Sequence, residues 1–209
     1  MVGWLGGENN ERDRDSFGLD LRLVSNEQGP FSWVVGGYLY QRDVALNYSD
    51  RIAFCEGCEF VSSFASDFET KRLAGYGQLA WQLSDSLRVS LGGRVENYDD
   101  AYLDSAGVVA DPDDTLWGAR FALEYTVSDA VLLYGTINRG YKTGGVNGQA
   151  VAAADPSVDP DIAQFLNERL AFDAETLLSY EVGVKGSFFD GALRANLSAF
   201  LMERDDMQA

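Results

Sequence analysis

The sequence contains no histidine among its 209 residues. Hydrolytic sites that use an imidazole base, histidine-ligated zinc sites and the HExxH metalloprotease site all require this side chain, so these site classes are excluded. The two glycine-rich phosphate-binding motifs, GxxxxGK[ST] and GxGxxG, are also missing. We therefore expect no catalytic residue, no metal site and no bound cofactor, and the protein is predicted not to be an enzyme.

Basic residues are scarce. The chain has 16 Lys and Arg against 33 Asp and Glu, which gives a formal net charge of -17. A polyanion of this size is repelled by nucleic acid, and no cluster of Lys or Arg offsets the repulsion. We expect no nucleic-acid partner.

Long apolar runs are absent as well. No stretch approaches the roughly 18 apolar residues that a membrane-spanning helix needs. The opening residues, MVGWLGGENNERDRD, have too short an apolar part for a secretory signal and no basic region before it. The chain is therefore either soluble, or crosses a membrane with strands, or is exported by a signal outside this polypeptide.

There are only two cysteines, Cys55 and Cys58, in the segment FCEGCEF. A CxxC pair can be a redox site or half of a zinc site, but there is no second pair and no βαβ pattern around it. A small disulfide that pins a loop in an oxidising compartment is the favoured interpretation.

Alternation of apolar and polar residues runs through most of the chain. In LRVSLGGRVEN, for example, Leu87, Val89 and Leu91 fall on one face and Arg88, Ser90 and Arg94 on the other. A period of two predicts strands. Eight strands are expected, at roughly 16–25, 31–48, 67–83, 87–101, 114–127, 131–144, 175–189 and 192–206.

The connections between these strands alternate in length. Four are tight turns, at NEQGP (26–30), 84–86, 128–130 and 189–191, and three are long, near 49–66, 102–113 and 145–174. Strands this long, with short turns on one side, are typical of an outer-membrane barrel with periplasmic turns and extracellular loops. We therefore predict an all-β fold, an antiparallel transmembrane β-barrel segment. A soluble β-sandwich is the alternative. Aromatic residues near strand ends suit the two membrane interfaces: Trp81, Trp117, Tyr125 and Phe188.

The glycine-rich segment RGYKTGGVNG (139–148) follows the apolar run VLLYGTIN. We expect its glycines to permit a bulge and a bend where the strand becomes the longest loop. Arg139, Tyr141, Lys142 and Asn147 are then candidates for lining the substrate path at the barrel mouth. The alternative is that they anchor the strand end at the level of the lipid headgroups. Within the loop, 161–172 is the one stretch that resembles a helix.

This region resembles the barrel of TonB-dependent outer-membrane receptors. Members of that family often have an aromatic strand that ends in R-G-Y/F-K-x-G-G-x-N, then F-x-x-E-x-x-x-x-Y-E-x-G-x-K, an F-D-G turn and a strand that ends in D-x-Q. The match is specific over about 115–208. The matching positions here are 139–147, Phe172, Glu175, Tyr180, Glu181, Gly183, Lys185, 189–191, Asp206 and Gln208.

The resemblance implies a plugged 22-stranded barrel in the outer membrane of a Gram-negative bacterium. Such a barrel takes up a scarce nutrient, such as a ferric siderophore or a similar chelate, with energy supplied through the inner-membrane protein TonB. The expected partners are outer-membrane lipid, TonB acting through a plug, and a small-molecule or metal-chelate ligand. Residues 1–209 contain no plug and no finishing aromatic strand, so we expect an internal part of such a barrel. A stand-alone eight-stranded barrel with a structural or adhesive role and a soluble ligand-binding β domain remain as alternatives.

Overall fold

The structure, a computed structural model, describes residues 5–26, 29–55, 58–153 and 157–208. Eight long strands form one antiparallel sheet and pair in chain order. This confirms the predicted all-β architecture. The sheet is open, with the first and last long strands at its two edges. The long strands are β1 (Leu5–Val24), β2 (Phe31–Cys55), β3 (Cys58–Ser84), β4 (Leu87–Asp104), β6 (Asp113–Ser128), β7 (Val131–Lys142), β10 (Glu175–Phe188) and β11 (Leu193–Asp205).

The short elements lie in the connections. Strand β5 (Val109–Ala110) pairs back onto β4, and β8 (Gly145–Val146) pairs with β9 (Ala171–Phe172). Two short helices, α1 (Gly148–Ala152) and α2 (Pro160–Asn167), lie between β8 and β9. Neither helix, nor any other in the described ranges, has the length and apolarity to cross a membrane.

The two faces of the sheet differ in chemistry. We call the face that carries Leu91 and Phe121 the outer face, and the face that carries Glu96 and Arg120 the inner face. Leu91 and Phe121 are cross-strand partners and remain 54% and 39% exposed. In a soluble sandwich these side chains would lie in a dry core. Nothing covers them here, and no large side chain in the described residues is fully buried.

Apolar residues on the outer face form a continuous band across the strands. On β2 the band runs from Phe31 to Leu39, and on β6 from Trp117 to Val127. This length matches the roughly 9–11 residues that a tilted strand needs to cross a bilayer. The rings of Phe31 and Trp81 stack with centroids 5.2 Å apart at the edge near the short turns. Polar residues replace apolar ones at the other edge, for example Gln41, Lys71, Asn97 and Thr115.

The prediction of a long loop at 49–66 is wrong. Strands β2 and β3 continue through it as one tall hairpin, with Ser49 paired to Ser63 and Ala53 to Glu59. The first strand likewise begins at Leu5 rather than 16 and pairs with the upper part of β2. Ser, Asp and Glu are frequent in 49–66, and Val61 and Phe64 fall on opposite faces of β3, so neither face of this segment is apolar throughout. Backbone hydrogen bonds form a ladder regardless of side-chain polarity, and the sheet extends past the apolar band.

The other two long connections are also more ordered than expected. Strand β4 runs to Asp104, where its carboxylate accepts hydrogen bonds from the backbone N–H groups of Ala106 and Val108 at 2.9 and 3.0 Å. Helix α2 begins after Asp159, whose side chain accepts from the N–H of Ile162 at 3.0 Å. The helix predicted at 161–172 therefore exists but ends early, because 171–172 pair as β9.

The tight turns at 84–86, 128–130 and 189–191 are confirmed. The last has three successive residues with positive φ, Phe189 at 55°, Asp190 at 52° and Gly191 at 86°. This left-handed path matches the twist of the flanking strands, which is why such turns suit hairpins. The turn expected at 26–30 lies partly outside the described residues.

Candidate functional site

A groove of about 560 Å³ lies on the inner face and is lined by residues of six strands, from β1 to β4 and on β6 and β7. Small residues open the space, since Gly92 and Gly118 carry no side chain there. Tyr76 lies across Gly36 of the neighbouring strand, and its hydroxyl donates to Asp20 at 2.6 Å. We call this space the inner groove. Its polar side chains are Asp20, Tyr76, Gln78, Arg94, Arg120 and Asn138.

Arg94 connects the inner groove to the end of β7. Its Nε donates to Glu96 at 2.9 Å and to the Tyr141 hydroxyl at 3.1 Å, and its guanidinium lies 5.3 Å from the ring centre of Tyr38. Tyr141 also donates to Glu96 at 3.3 Å. Arg94 is thus held by one carboxylate, one tyrosine ring and one tyrosine hydroxyl, while about a third of its side chain stays exposed. A guanidinium fixed in this way can donate hydrogen bonds to an anionic group without reorganising.

A second ion pair lies further up the inner face. Arg72 binds both carboxylate oxygens of Asp100, at 2.6 and 3.2 Å, and lies 5.0 Å from the ring centre of Tyr98. The Asp100 side chain is 2% exposed and that of Arg72 is 13% exposed. This pair is enclosed, so it fixes β3 against β4 and leaves little of Arg72 for a ligand.

The first part of the connection between β7 and β10, from 143 to 153, folds inward over this part of the sheet. A side chain at Gly148 would approach the Tyr102 hydroxyl oxygen to 2.6 Å, and one at Gly144 would approach the Tyr98 hydroxyl oxygen to 2.9 Å. Tyr102 donates to Asp104 at 2.9 Å. Burial, followed by this hydrogen bond, raises the pKa of the Tyr102 phenol above its ordinary value. The phenol is therefore neutral and holds the loop by packing.

The sequence predicted that the glycines of 139–148 permit a bulge and a bend, whereas these contacts show glycines where the chain passes close to aromatic side chains. The register between β7 and β10 runs without a bulge from Val131 to Lys142. The positive-φ glycines in the described residues are Gly29, Gly107 and Gly191, none of which lies in this segment. Gly144, Gly145 and Gly148 are instead points where the chain passes close to Tyr98, Phe172 and Tyr102.

The four proposed substrate-lining residues lie in three different places. Tyr141 joins Arg94 and Glu96 beside the inner groove. Lys142 and Asn147 share a cleft of about 540 Å³ with Arg169 and Asp173. The backbone of Arg139 borders the inner groove, but its guanidinium lies on the outer face, 4.0 Å from the ring centre of Trp117.

The inner groove itself was not predictable from the sequence. Arg94 and Arg120 were recognisable as inward-facing from the alternation, but alternation does not show how neighbouring strands are aligned. Only the register places Gly36 opposite Tyr76 and Arg94 opposite Gly118. Cys55 and Cys58 are paired in register at the tip of the β2–β3 hairpin. Their side chains lie outside the described residues, so the disulfide stays a prediction.

The side chains of the inner groove are suited to binding a ligand through hydrogen bonds. Its side chains supply several hydrogen-bond donors, two of them guanidinium groups, and one carboxylate acceptor. Across the described ranges, no group of three or more His, Cys, Asp or Glu side chains is arranged to hold a metal ion. The arrangement fits a polar, anionic small molecule.

Comparison with known proteins agrees with this architecture. The family model of the TonB dependent receptor-like beta-barrel matches residues 3–209. The ferric yersiniabactin uptake receptor FyuA from Yersinia pestis superposes with a TM-score of 0.70 at 19% identity, over 96% of this chain and 30% of that one. The copper transporter OprC gives 0.71 at 13%, over 96% and 32%. The ferric citrate transporter FecA gives 0.63 at 15%, over 96% and 30%.

The chain thus spans about a third of the length of these structures. The family match covers nearly all of the chain, and the open antiparallel sheet with its apolar outer band agrees with a segment cut from a larger barrel. The protein belongs to the family of TonB-dependent receptor β-barrels.

Proposed function

We propose that this chain forms part of the wall of an outer-membrane receptor that takes up a scarce nutrient, such as a ferric siderophore or a similar metal chelate. The inner groove carries the proposal. Arg120 has no ion pair within the described residues, and Arg94, although paired with Glu96, keeps about a third of its side chain exposed. The two guanidinium groups lie on the water-filled side of the wall, although the chain as a whole has a net charge of -17. Anionic chelates are ligands that such a surface attracts. The receptor names of the similar structures, for ferric yersiniabactin and ferric citrate, support this class of ligand.

In this proposal the receptor binds and conducts its ligand and performs no catalytic step. Its location is the outer membrane of a Gram-negative bacterium, where lipid covers the apolar band. Energy for uptake reaches it from TonB through a plug region. Nucleic acid is not among its partners, because the acidic surface repels it.

The test compares a deletion strain with cells that regain the gene with its native flanking coding sequence. Under iron limitation, the restored cells should accumulate radiolabelled iron from at least one ferric chelate, and a protonophore should abolish the gain. Arg94→Gln and Arg120→Gln should each lower uptake about tenfold, the loss expected for one charge-assisted hydrogen bond. Arg88→Gln, which also faces inward but lies outside the groove, is the control.

Equal uptake by deleted and restored cells for every chelate would contradict a role in iron acquisition. Heat-modifiable migration in detergent then separates the remaining possibilities. A heat-modifiable protein without uptake indicates a barrel with a structural or adhesive role.

Lys142 provides a second, weaker test because its cleft opens beside the end of β7. Lys142→Ala should reduce chelate uptake without changing the amount of assembled protein in the membrane. Lys71→Ala is the control, since Lys71 lies on the outer face and pairs with Glu69 at 2.6 Å. Unchanged uptake in Lys142→Ala would remove Lys142 from the ligand path.

A further inference from the structure

Arg139 is an isolated cation on the outer face. Its cross-strand partners there are Ala119 and Leu178, and its guanidinium stacks on the ring of Trp117 at 4.0 Å. Nη1 also donates a hydrogen bond to the backbone oxygen of Trp117. These contacts fix the guanidinium at the upper edge of the apolar band, where Trp117 is the uppermost apolar residue on the outer face of β6.

The charge of Arg139 is not neutralised within the described part of the chain. No ion pair joins its guanidinium to a carboxylate there, whereas Lys71, the outward cation at the same edge on β3, pairs with Glu69. Glu203 lies in the same rung, but it is separated from Arg139 by Leu178 and so by two strand spacings, roughly 10 Å. A guanidinium has five N–H donors, so Arg139 keeps several for a ligand.

An apolar groove of about 500 Å³ begins directly below Arg139 on the same face. Its floor is Gly135, where an added Cβ would meet nothing nearer than 3.9 Å. The groove thus results from a missing side chain rather than from close packing. Ile137 separates the floor from Arg139, which places the top of the groove roughly 7 Å from the guanidinium along the strand. The walls are Phe121, Leu123, Ile137, Tyr180 and Val182.

We propose that Arg139 and this groove bind one anionic membrane lipid, with its phosphate on the guanidinium and one acyl chain over Gly135. Arg139 presents planar N–H donors that suit a phosphate, and the groove offers aliphatic and aromatic walls that suit methylene groups. The order of the two, charge at the edge of the apolar band and groove within it, matches the order of headgroup and chain in a leaflet. The inference rests on the proposed function, because it requires the outer face to lie in the membrane.

The experiment uses the protein expressed with its native flanking coding sequence and reconstituted in vesicles of equal parts phosphatidylglycerol and phosphatidylcholine. After extraction into mild detergent, the retained lipid is identified and counted by native mass spectrometry. Wild type should keep one phosphatidylglycerol per protein. Arg139→Gln should reduce retention about tenfold, as expected for one charge-assisted hydrogen bond to phosphate. Gly135→Leu, which fills the groove but keeps the cation, should reduce it as well.

Lys71→Gln is the matched control and should leave retention unchanged, because Lys71 already pairs with Glu69. Excess inorganic phosphate should not displace the lipid, since the acyl chain contributes to binding. Equal retention in wild type and Arg139→Gln, or retention of both lipids alike, would overturn the proposal. Heat-modifiable migration of each sample shows whether the protein has folded and inserted, which distinguishes a failure of the proposed function from a failure of this inference. A protein that does not insert contradicts the proposed function, and one that inserts without selective lipid contradicts this inference alone.

Discussion

The ring of Tyr102 is the surface on which the β7–β10 connection rests. It is buried against Gly148, and its hydroxyl donates to Asp104, which also binds two backbone N–H groups of the following turn. One side chain therefore orders both the inward-folded connection and the end of β4. Changes at Tyr102 or its glycine partner should act on the connection and leave the wall intact.

Gly148→Val should release the inward-folded connection. The new side chain would overlap the Tyr102 ring, and overpacking of this kind costs about 1–3 kcal/mol. The readout is the mobility of a spin label at Gln149→Cys, in a background where Cys55 and Cys58 are replaced by serine. Gly140→Ala is the control, because nothing lies within 4 Å of a Cβ there. A label equally immobile in both variants would show that the glycine is not needed for packing.

Alkaline pH should release the same connection. Because the pKa of Tyr102 is raised in the folded state, the folded protein holds the phenolic proton more tightly than the unfolded chain does. The stabilisation is complete below the ordinary value of 10.0 and is lost as the pH rises through the raised value. The Gln149→Cys label should stay immobile at neutral pH and become mobile well above pH 10. Tyr102→Phe has no proton to lose, and a transition that persists in it would assign the effect to another group.

At the scale of elements, the strands were predictable where the apolar residues keep to one face and unpredictable where they do not. Strand β4, from Leu87 to Val95, shows the alternation that a wall between two media requires. In 49–66, by contrast, Val61 and Phe64 fall on opposite faces of β3, and this segment was predicted to be a loop. The position of a tyrosine opposite a glycine was also hidden, because it depends on the register rather than on the period.

Because the strand register places Gly36 opposite Tyr76, a substitution at Gly36 tests how much this contact stabilises the sheet. A Cβ there would overlap the ring of Tyr76 and come within 2.9 Å of the backbone oxygen of Leu21, which cannot rotate away. Gly36→Ala should push Tyr76 off Asp20 and lower the temperature at which the protein loses its folded gel mobility. The adjacent Gly37→Ala is the control, since its nearest atom is 3.9 Å away. Equal melting of the two variants would mean that the Tyr76 contact adds no stability.

At the scale of the whole molecule, the long strands form one antiparallel sheet with an apolar outer face and a more polar inner face. The family and the sheet were predictable from the motif at 139–147 and from strand length, whereas the site was not, because it is assembled across six strands. The net charge of -17 also does not show where the individual charged side chains lie. At the inner groove Arg94 is paired with Glu96, whereas Arg120 has no ion pair within the described residues.

Cysteine labelling should distinguish the two faces. In a background without Cys55 and Cys58, Leu91→Cys and Phe121→Cys should react with lipid-soluble maleimides and resist membrane-impermeant ones. Arg88→Cys and Arg120→Cys, on the inner face of the same two strands, should react with the impermeant reagent. Mass spectrometry of intact cells and of detergent extracts would measure both. Protection of Leu91→Cys from both reagents would indicate a dry interior and contradict the membrane assignment.

The height of the β2–β3 hairpin determines which part of the chain lies furthest from the apolar band. From Val44 to Cys55 it rises beyond the apolar band, roughly 40 Å of strand at about 3.3 Å per residue. Its ladder of backbone hydrogen bonds continues over this length, from Val44 paired with Phe68 to Ala53 paired with Glu59. In the proposed receptor this hairpin would project furthest from the membrane, so an antibody or a phage tail would reach it first.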